Sequence, residues 1–353
     1  MSFAELMLPA PRAGGFRMDG YWVWDGSVIK GDDGRYHLFS VRWPNDQPMH
    51  PSWLLRSEIV RAVADTPEGP YAFAEVVFES RGAEYWDGRS TFNPQIIKHG
   101  DTYVLFYVGT THPFPDIEPG DDPVAHEDDR VVVARSNKRI GIATATSVTG
   151  PFKRRDAPVL LPRPDKFDNF FTSNPAPLIH EDGSVLLVYK TRSYAERPYP
   201  RFLHGEVMAL GVATAPHYLG PYTTRLDEPM FPTDRFNLED PFLFRGPDGY
   251  ELIAKDMTGN ICGEYHAGMH AHSTDGFHWV ADEGQKAYTR TIRWDDGTEQ
   301  VMGSLERPFV LFEHGRPTHM LFATGDGPGE FMNATQTWNM VVPLRGTTMN
   351  FPT

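Results

Sequence analysis

IKGDDGRYHLFSVRW (residues 29–43) sets an apolar run on either side of a glycine turn, and the same design returns four more times along the chain. The other copies are IKHGDTYVLFYVGT (97–110), IHEDGSVLLVYKTR (179–192), FRGPDGYELIAKDM (244–257) and FEHGRPTHMLFATG (312–325). Each reads as a hairpin, because β-branched and aromatic residues suit a pleated surface while Gly and Asp supply the turn. The turn glycines Gly34, Gly100, Gly183, Gly249 and Gly315 are 66, 83, 66 and 66 residues apart, so one period holds with 17 residues added in the second copy.

Third strands follow the hairpins: IVRAVADTPEGPY (59–71), IGIATATSVTGPF (140–152), LGVATAPHYLGPY (210–222) and GMHAHSTDGFHW (268–279). In the fifth copy MNATQTWNMVVPL (332–344) is less regular and is assigned to outer strands or to closing a ring. No convincing amphipathic helix lies between the units. Three or four short antiparallel strands, repeated five times, predict an all-β chain that forms a single five-bladed β-propeller domain over residues 1–353. The added residues fall around 112–135, in the Pro- and Asp-rich stretch THPFPDIEPGDDPVAHEDDRVVV (111–133), read as a solvated surface loop with a calcium site or an active-site lid as alternatives.

In a propeller the first strand of each blade lines the central axis. Those strands open as WVWDGSVI (22–29), STFNPQII (90–97), TSNPAPLI (172–179), NLEDPFLF (237–244) and SLERPFVL (304–311), bringing Asp25, Asn93, Asn174, Glu239 with Asp240, and Glu306 toward one channel. A single Asp or Asn before Pro or Gly is ordinarily a turn residue. Several carboxylates gathered in one place repel one another and lose solvation, which pushes their pKa values apart as acid/base chemistry requires.

Second strands run antiparallel and return to the same edge, so their ends, with Arg42, Lys190, Arg192, Lys255, Asp256 and Asp326, are expected around that rim together with Arg307. Trp22, Trp24, Trp43, Trp53, Tyr85 and Trp86 are mostly core by this reading, with one or two, Trp24 foremost, free to face a sugar ring. His266, His270 and His272 alternate along one strand in a spacing that suggests a metal, but they lack an evident acid partner and are read as structural.

A net charge of −14, with no Lys/Arg-rich run, argues against nucleic acid and anionic membrane surfaces and points to a neutral or cationic small ligand. No signal-peptide pattern and no stretch of about 18 apolar residues is present, so a cytoplasmic location is expected. Cys262 stands alone and excludes an internal disulfide framework.

The five-copy pattern, the Asp-bearing aromatic first strand, the EDP and ERP openings and the recurring GPY/GPF endings resemble the five-bladed propeller glycoside hydrolases of families 43, 32 and 68. The resemblance implies a glycosidase acting on a small carbohydrate, with Asp25 as the first-blade acid. Family 43 places a tuning Asp before Pro on the third blade, where this chain has Asn174, and Asp240 before Pro241 is the natural substitute. Either Glu306 or Glu239 is the proton donor, Glu306 being preferred because strand alternation points only one of the adjacent Glu239 and Asp240 at the axis. Inversion is expected from the family 43 parallel. No cofactor is required, with a structural calcium ion as an option. Two alternatives stand: a glycoside phosphorylase or transglycosidase using Lys190, Arg192, Lys255 and Arg307 as an anion site, and a non-catalytic carbohydrate-binding propeller.

Overall fold

The computed structural model describes residues 2–118, 120–194, 207–327, 333–347 and 351. Five antiparallel sheets stand in a ring. Blade 1 holds β1 (Tyr21–Lys30), β2 (Tyr36–Pro44), β3 (Glu58–Ala64) and β4 (Ala72–Val76). Blade 2 holds β5 (Ser90–His99), β6 (Thr102–Thr110), β7 (Arg139–Ala145) and β8 (Lys153–Arg154). Blade 3 is β9 (Ser173–Ile179), β10 (Val185–Thr191), β11 (Ala209–Ala215) and β12 (Thr223–Thr224). Blade 4 is β13 (Leu238–Gly246), β14 (Gly249–Asp256), β15 (Gly268–Ser273) and β16 (Val280–Tyr288). A two-stranded ribbon, β17 (Thr291–Arg293) and β18 (Glu299–Val301), leads into blade 5, made of β19 (Ser304–Glu313), β20 (Arg316–Gly325) and β21 (Thr337–Pro343). The first strands β1, β5, β9, β13 and β19 pack side by side around the axis and close on one another.

Each blade is sandwiched between two others, so its middle strands are apolar on both faces and read as continuous hydrophobic runs. β6 shows the division: Tyr103, Leu105 and Tyr107 enter the core shared with blade 1, while Val104 and Phe106 enter the core shared with blade 3. Equivalent inter-blade cores join blades 3 and 4, 4 and 5, and 5 and 1. At the third strand, Gly141 and Gly211 lie opposite Tyr107 and Tyr189. A Cβ at Gly211 would come 2.4 Å from the Tyr189 ring, which accounts for the repeated I/L-G-x-A-T-A wording.

Two short helices depart from the all-strand expectation: α1 (Met49–Arg56), interrupted at His50, and α2 (Asp129–Ser136). α2 belongs to the inserted stretch and is not a solvated loop. Asp128 caps it by accepting from the Arg130 N–H at 2.8 Å, and Val131 and Ala134 pack with Leu54 and Leu55 of α1 in a satellite core. Among the described residues no helix is long and apolar enough to cross a membrane.

Candidate active site

Every first strand is bulged at one residue with a left-handed backbone: Asp25 (φ 48°), Asn93 (52°), Asn174 (47°), Asp240 (56°) and Arg307 (54°). Gly26 or a proline follows each one. Asp and Asn tolerate this conformation better than other residues, and a buried non-glycine held there costs on the order of 1 kcal/mol or more. Five such residues at equivalent places turn their side chains toward one another. Asp25 Oδ2 accepts from the Asn93 backbone N–H at 2.9 Å and from Asn93 Nδ2 at 3.0 Å. Asn174 Nδ2 donates to Asp240 Oδ1 at 2.7 Å. Arg307 bridges the two acids, with Nη1 3.0 Å from Asp240 Oδ1 and Nε 3.0 Å from Asp25 Oδ1. The Nε–H is not aligned on that oxygen, so Asp25 Oδ1 is buried without a hydrogen bond.

The fifth member of the ring is therefore Arg307, and Glu306 corresponds to Glu239 one residue earlier. Both glutamates line a cavity of about 360 Å³ above the ring, along with Asp25, Trp24, Asn174, Lys190, Arg192 and Arg307. Asp240 and Asn93 face a smaller void on the axis beneath. Lys255, buried under the glutamates, places Nζ 3.0 Å from Glu239 Oε2, 3.0 Å from Glu306 Oε2 and 3.8 Å from Asp240 Oδ2. Glu239 also accepts from Lys190.

These surroundings separate the carboxyls. Burial, opposed by Lys255 and reinforced by Asp240 and Glu239, pushes Glu306 up to about 7. Burial acts on Glu239 too, but Lys190, Lys255 and Arg307 outweigh it and hold that group well below the ordinary range. Asp25 is raised by burial against the pull of Arg307 and Asn93. A protonated Glu306 and an ionised Glu239 thus face the same cavity.

Three expected rim residues do not reach it. Val41 and Trp43 line the cavity, so strand alternation sends Arg42 to the opposite face of β2. There it pairs with Glu58 at 2.8 Å and lies over Tyr21 and Phe73. Asp256 turns away from Lys255 and closes the next loop, accepting from the backbone N–H groups of Thr258, Gly259, Ile261 and Cys262. Asp326 likewise serves its own loop, bonded to Thr335 and Gln336. His270 sits between Glu251 and Asp282 on blade 4, and among the described residues no group of three or more His, Cys, Asp and Glu is placed to hold a metal.

Several lining residues carry no signal in the repeat. Met49, His50 and Trp53 come from α1, and His126, Arg135 and Lys138 from the inserted stretch and the residues after α2. They fall outside the five-fold pattern, and only their places in the fold bring them to the cavity.

No protein-family profile matches the sequence, and no curated protein is similar to it by sequence. Solved structures share the fold. Zg3597, a family 117 glycoside hydrolase of the marine bacterium Zobellia galactanivorans, superposes with a TM-score of 0.67 at 15% identity, covering 97% of this chain and 91% of that one. The catalytic domain of a family 62 α-L-arabinofuranosidase from Coprinopsis cinerea gives 0.63 at 10% identity, covering 97% and 98%. CoXyl43, a family 43 β-xylosidase/α-arabinofuranosidase from a compost microbial metagenome, gives 0.58 at 13% identity, covering 98% of both chains. At these identities the likeness is one of fold, a five-bladed propeller of the kind that glycoside hydrolases use.

Proposed function

We propose that this chain is a glycosidase that hydrolyses a terminal glycosidic bond in the cavity above the ring. The observation that carries the reading is Glu306, a buried carboxyl poised near neutrality that shares a cavity with Asp25. Glu306 donates its proton to the leaving oxygen. Its Oε1 has no hydrogen-bond partner in the protein, so a glycosidic oxygen reaching it would displace none. Asp25 acts as general base on water through Oδ1, the oxygen that Asn93 leaves unengaged. Its raised pKa makes it the more effective base, and Arg307 fixes its orientation. Asp240, a ring member outside the cavity lining, raises Glu306 by charge repulsion and anchors Arg307, while Glu239 and Lys190 line the cavity, where sugar hydroxyls would meet them.

We take the stereochemical course to be inversion, as the family 43 resemblance favours, with water entering from the Asp25 side. Two carboxyl groups need no cofactor for this chemistry. The Arg307 guanidinium already meets the charge of Asp25 and Asp240, which is consistent with a reading that calls on no metal ion at these two acids. The test is a panel of chromogenic glycosides, neutral and acidic, with product anomers followed by NMR. Asp25→Asn is expected to lower kcat/KM at least about 10²-fold on any substrate turned over. Turnover unaffected by that change, or sugar binding with no turnover across the panel, rejects the assignment.

A further inference from the structure

The cations of the cavity outnumber what its carboxylates can use. Asp25, Asp240, Glu239 and Glu306 are all met by Arg307, Lys255 and Lys190. With Glu306 protonated, as the glycosidase reading requires, three anions balance these three cations. Arg135, Lys138 and Arg192 remain on the same cavity wall.

None of the three has an ion pair of its own among the described residues. Lys138 is 4% exposed, and its Nζ lies 3.7 Å from the Phe171 ring centroid and 5.7 Å from that of Trp53. Arg135 is 9% exposed, and Arg192 has a terminal nitrogen buried with no hydrogen-bond partner. Burying an unmatched cation is costly, and clustering three raises the cost, so the arrangement makes sense when a ligand brings the counter-charge. The chain as a whole carries −14, so the wall runs against the charge of the molecule and cannot be a by-product of a basic surface.

We propose that the substrate is an acidic glycoside whose sugar carries a carboxylate or a sulfate ester, seated against Arg135, Lys138 and Arg192. This rests on the glycosidase reading of the same cavity. It replaces the neutral or cationic ligand that net charge suggests. The guanidinium forks of Arg135 and Arg192 suit either oxyanion, while Trp53 and Phe171 offer apolar surface to a ring. Inorganic phosphate, as the co-substrate of a phosphorylase, fits less well. It would have to attack from the Asp25 side, where the carboxylate repels it and Arg307 is already engaged by two acids.

The test is calorimetric titration of the full chain with paired monosaccharides at fixed ionic strength: D-glucuronate against D-glucose, D-galacturonate against D-galactose, and D-galactose 6-sulfate against D-galactose. Inorganic phosphate is titrated alongside. At least one acidic member should bind about tenfold or more tightly than its neutral partner, and the arm that does so distinguishes carboxylate from sulfate ester. Lys138→Met and Arg192→Gln, each checked for an intact melting transition, should remove that preference. Equal or tighter binding of the neutral sugars, no binding by any acidic sugar, a preference that survives both substitutions, or turnover that depends on phosphate overturns the inference. The two readings fail separately: neutral glycosides cleaved faster than acidic ones sink this inference and spare the glycosidase, whereas selective binding of acidic sugars without cleavage of any glycoside sinks the glycosidase and spares the anion site.

Discussion

Glu306 owes its proton to a contest that burial wins over Lys255, and Glu239 loses the same contest because two lysines attend it. The sign of the pH dependence follows. Glu306 is useful as an acid only while protonated, so activity should be full below its pKa and fall about tenfold per unit as the pH rises beyond about 7. Asp25 must be ionised, and because burial raises it, the acid-side limb should lie above that of an ordinary aspartate. The profile of kcat/KM should therefore be a narrow bell with its alkaline midpoint near 7. Glu239→Gln removes a charge that raises Glu306, so it should move that midpoint downward, whereas a donor at Glu239 would lose the limb altogether. The sequence leaves these two acids undecided because spacing fixes their places but not the lysines around them. Lys255 appears there as one more strand-end charge, and only the fold shows its Nζ 3.0 Å from both glutamates.

Strands and hairpins are the best-read elements, since five glycine turns at one period leave little freedom in topology. The loops that feed the inner strands are less legible, because their key residues lie in irregular chain. In blade 2 the Tyr107 hydroxyl donates to Asp87 at 2.7 Å, and Arg81 holds the same carboxylate. Blade 3 repeats the device with Tyr189, Asp168 and Arg163. Each aspartate lies just ahead of a first strand, so it ties the incoming loop to the middle of its own blade. Asp168 is wholly buried, and Asp168→Ala would leave the buried tyrosine hydroxyl without its acceptor and Arg163 with only Asp227 and the Leu226 carbonyl, at a cost of about 2 kcal/mol. The expected result is a lower urea midpoint at unchanged slope, read by tryptophan fluorescence. An unchanged midpoint would show the pair to be decoration. α1 and α2 escape sequence reading for a different reason: MHPSWLLR carries a proline inside, and DRVVVARS is short and rich in β-branched valine, so neither has a helical period to detect.

The ring must also close, and closure falls on the strand that bears Asp25. β21 is the third strand of blade 5, and its outer edge is covered from the other end of the chain: Phe16 and Asn339 exchange backbone hydrogen bonds at 3.0 Å each, and Leu8 N–H donates to Pro343 O at 2.8 Å. The first residues, MSFAELMLPAPRAGGF, show no strand alternation, so this role is invisible in the sequence. On its inner side β21 reaches blade 1, where Thr337 Oγ1 accepts from the Val23 N–H at 2.8 Å. Asn339 goes further: its Oδ1 accepts from Ser40 Oγ at 2.6 Å and its Nδ2 donates to the Asp25 carbonyl oxygen. The seam of the propeller thus holds the strained backbone of the proposed base. Asn339→Ala would leave that buried carbonyl with only a long 3.4 Å contact from the Ser40 hydroxyl, which keeps the Trp24 carbonyl as an acceptor, costing about 1–2 kcal/mol. Releasing Asp25 from its place should in addition lower kcat, by about tenfold at a temperature where the variant is still folded, with KM little changed, because misplacing a catalytic group by a fraction of an ångström is enough to slow the chemical step. Thermal melts and steady-state kinetics on the same preparation separate the two effects: a lowered melting temperature with kcat intact would make Asn339 a clasp and nothing more, and would dissociate ring closure from the chemistry at Asp25.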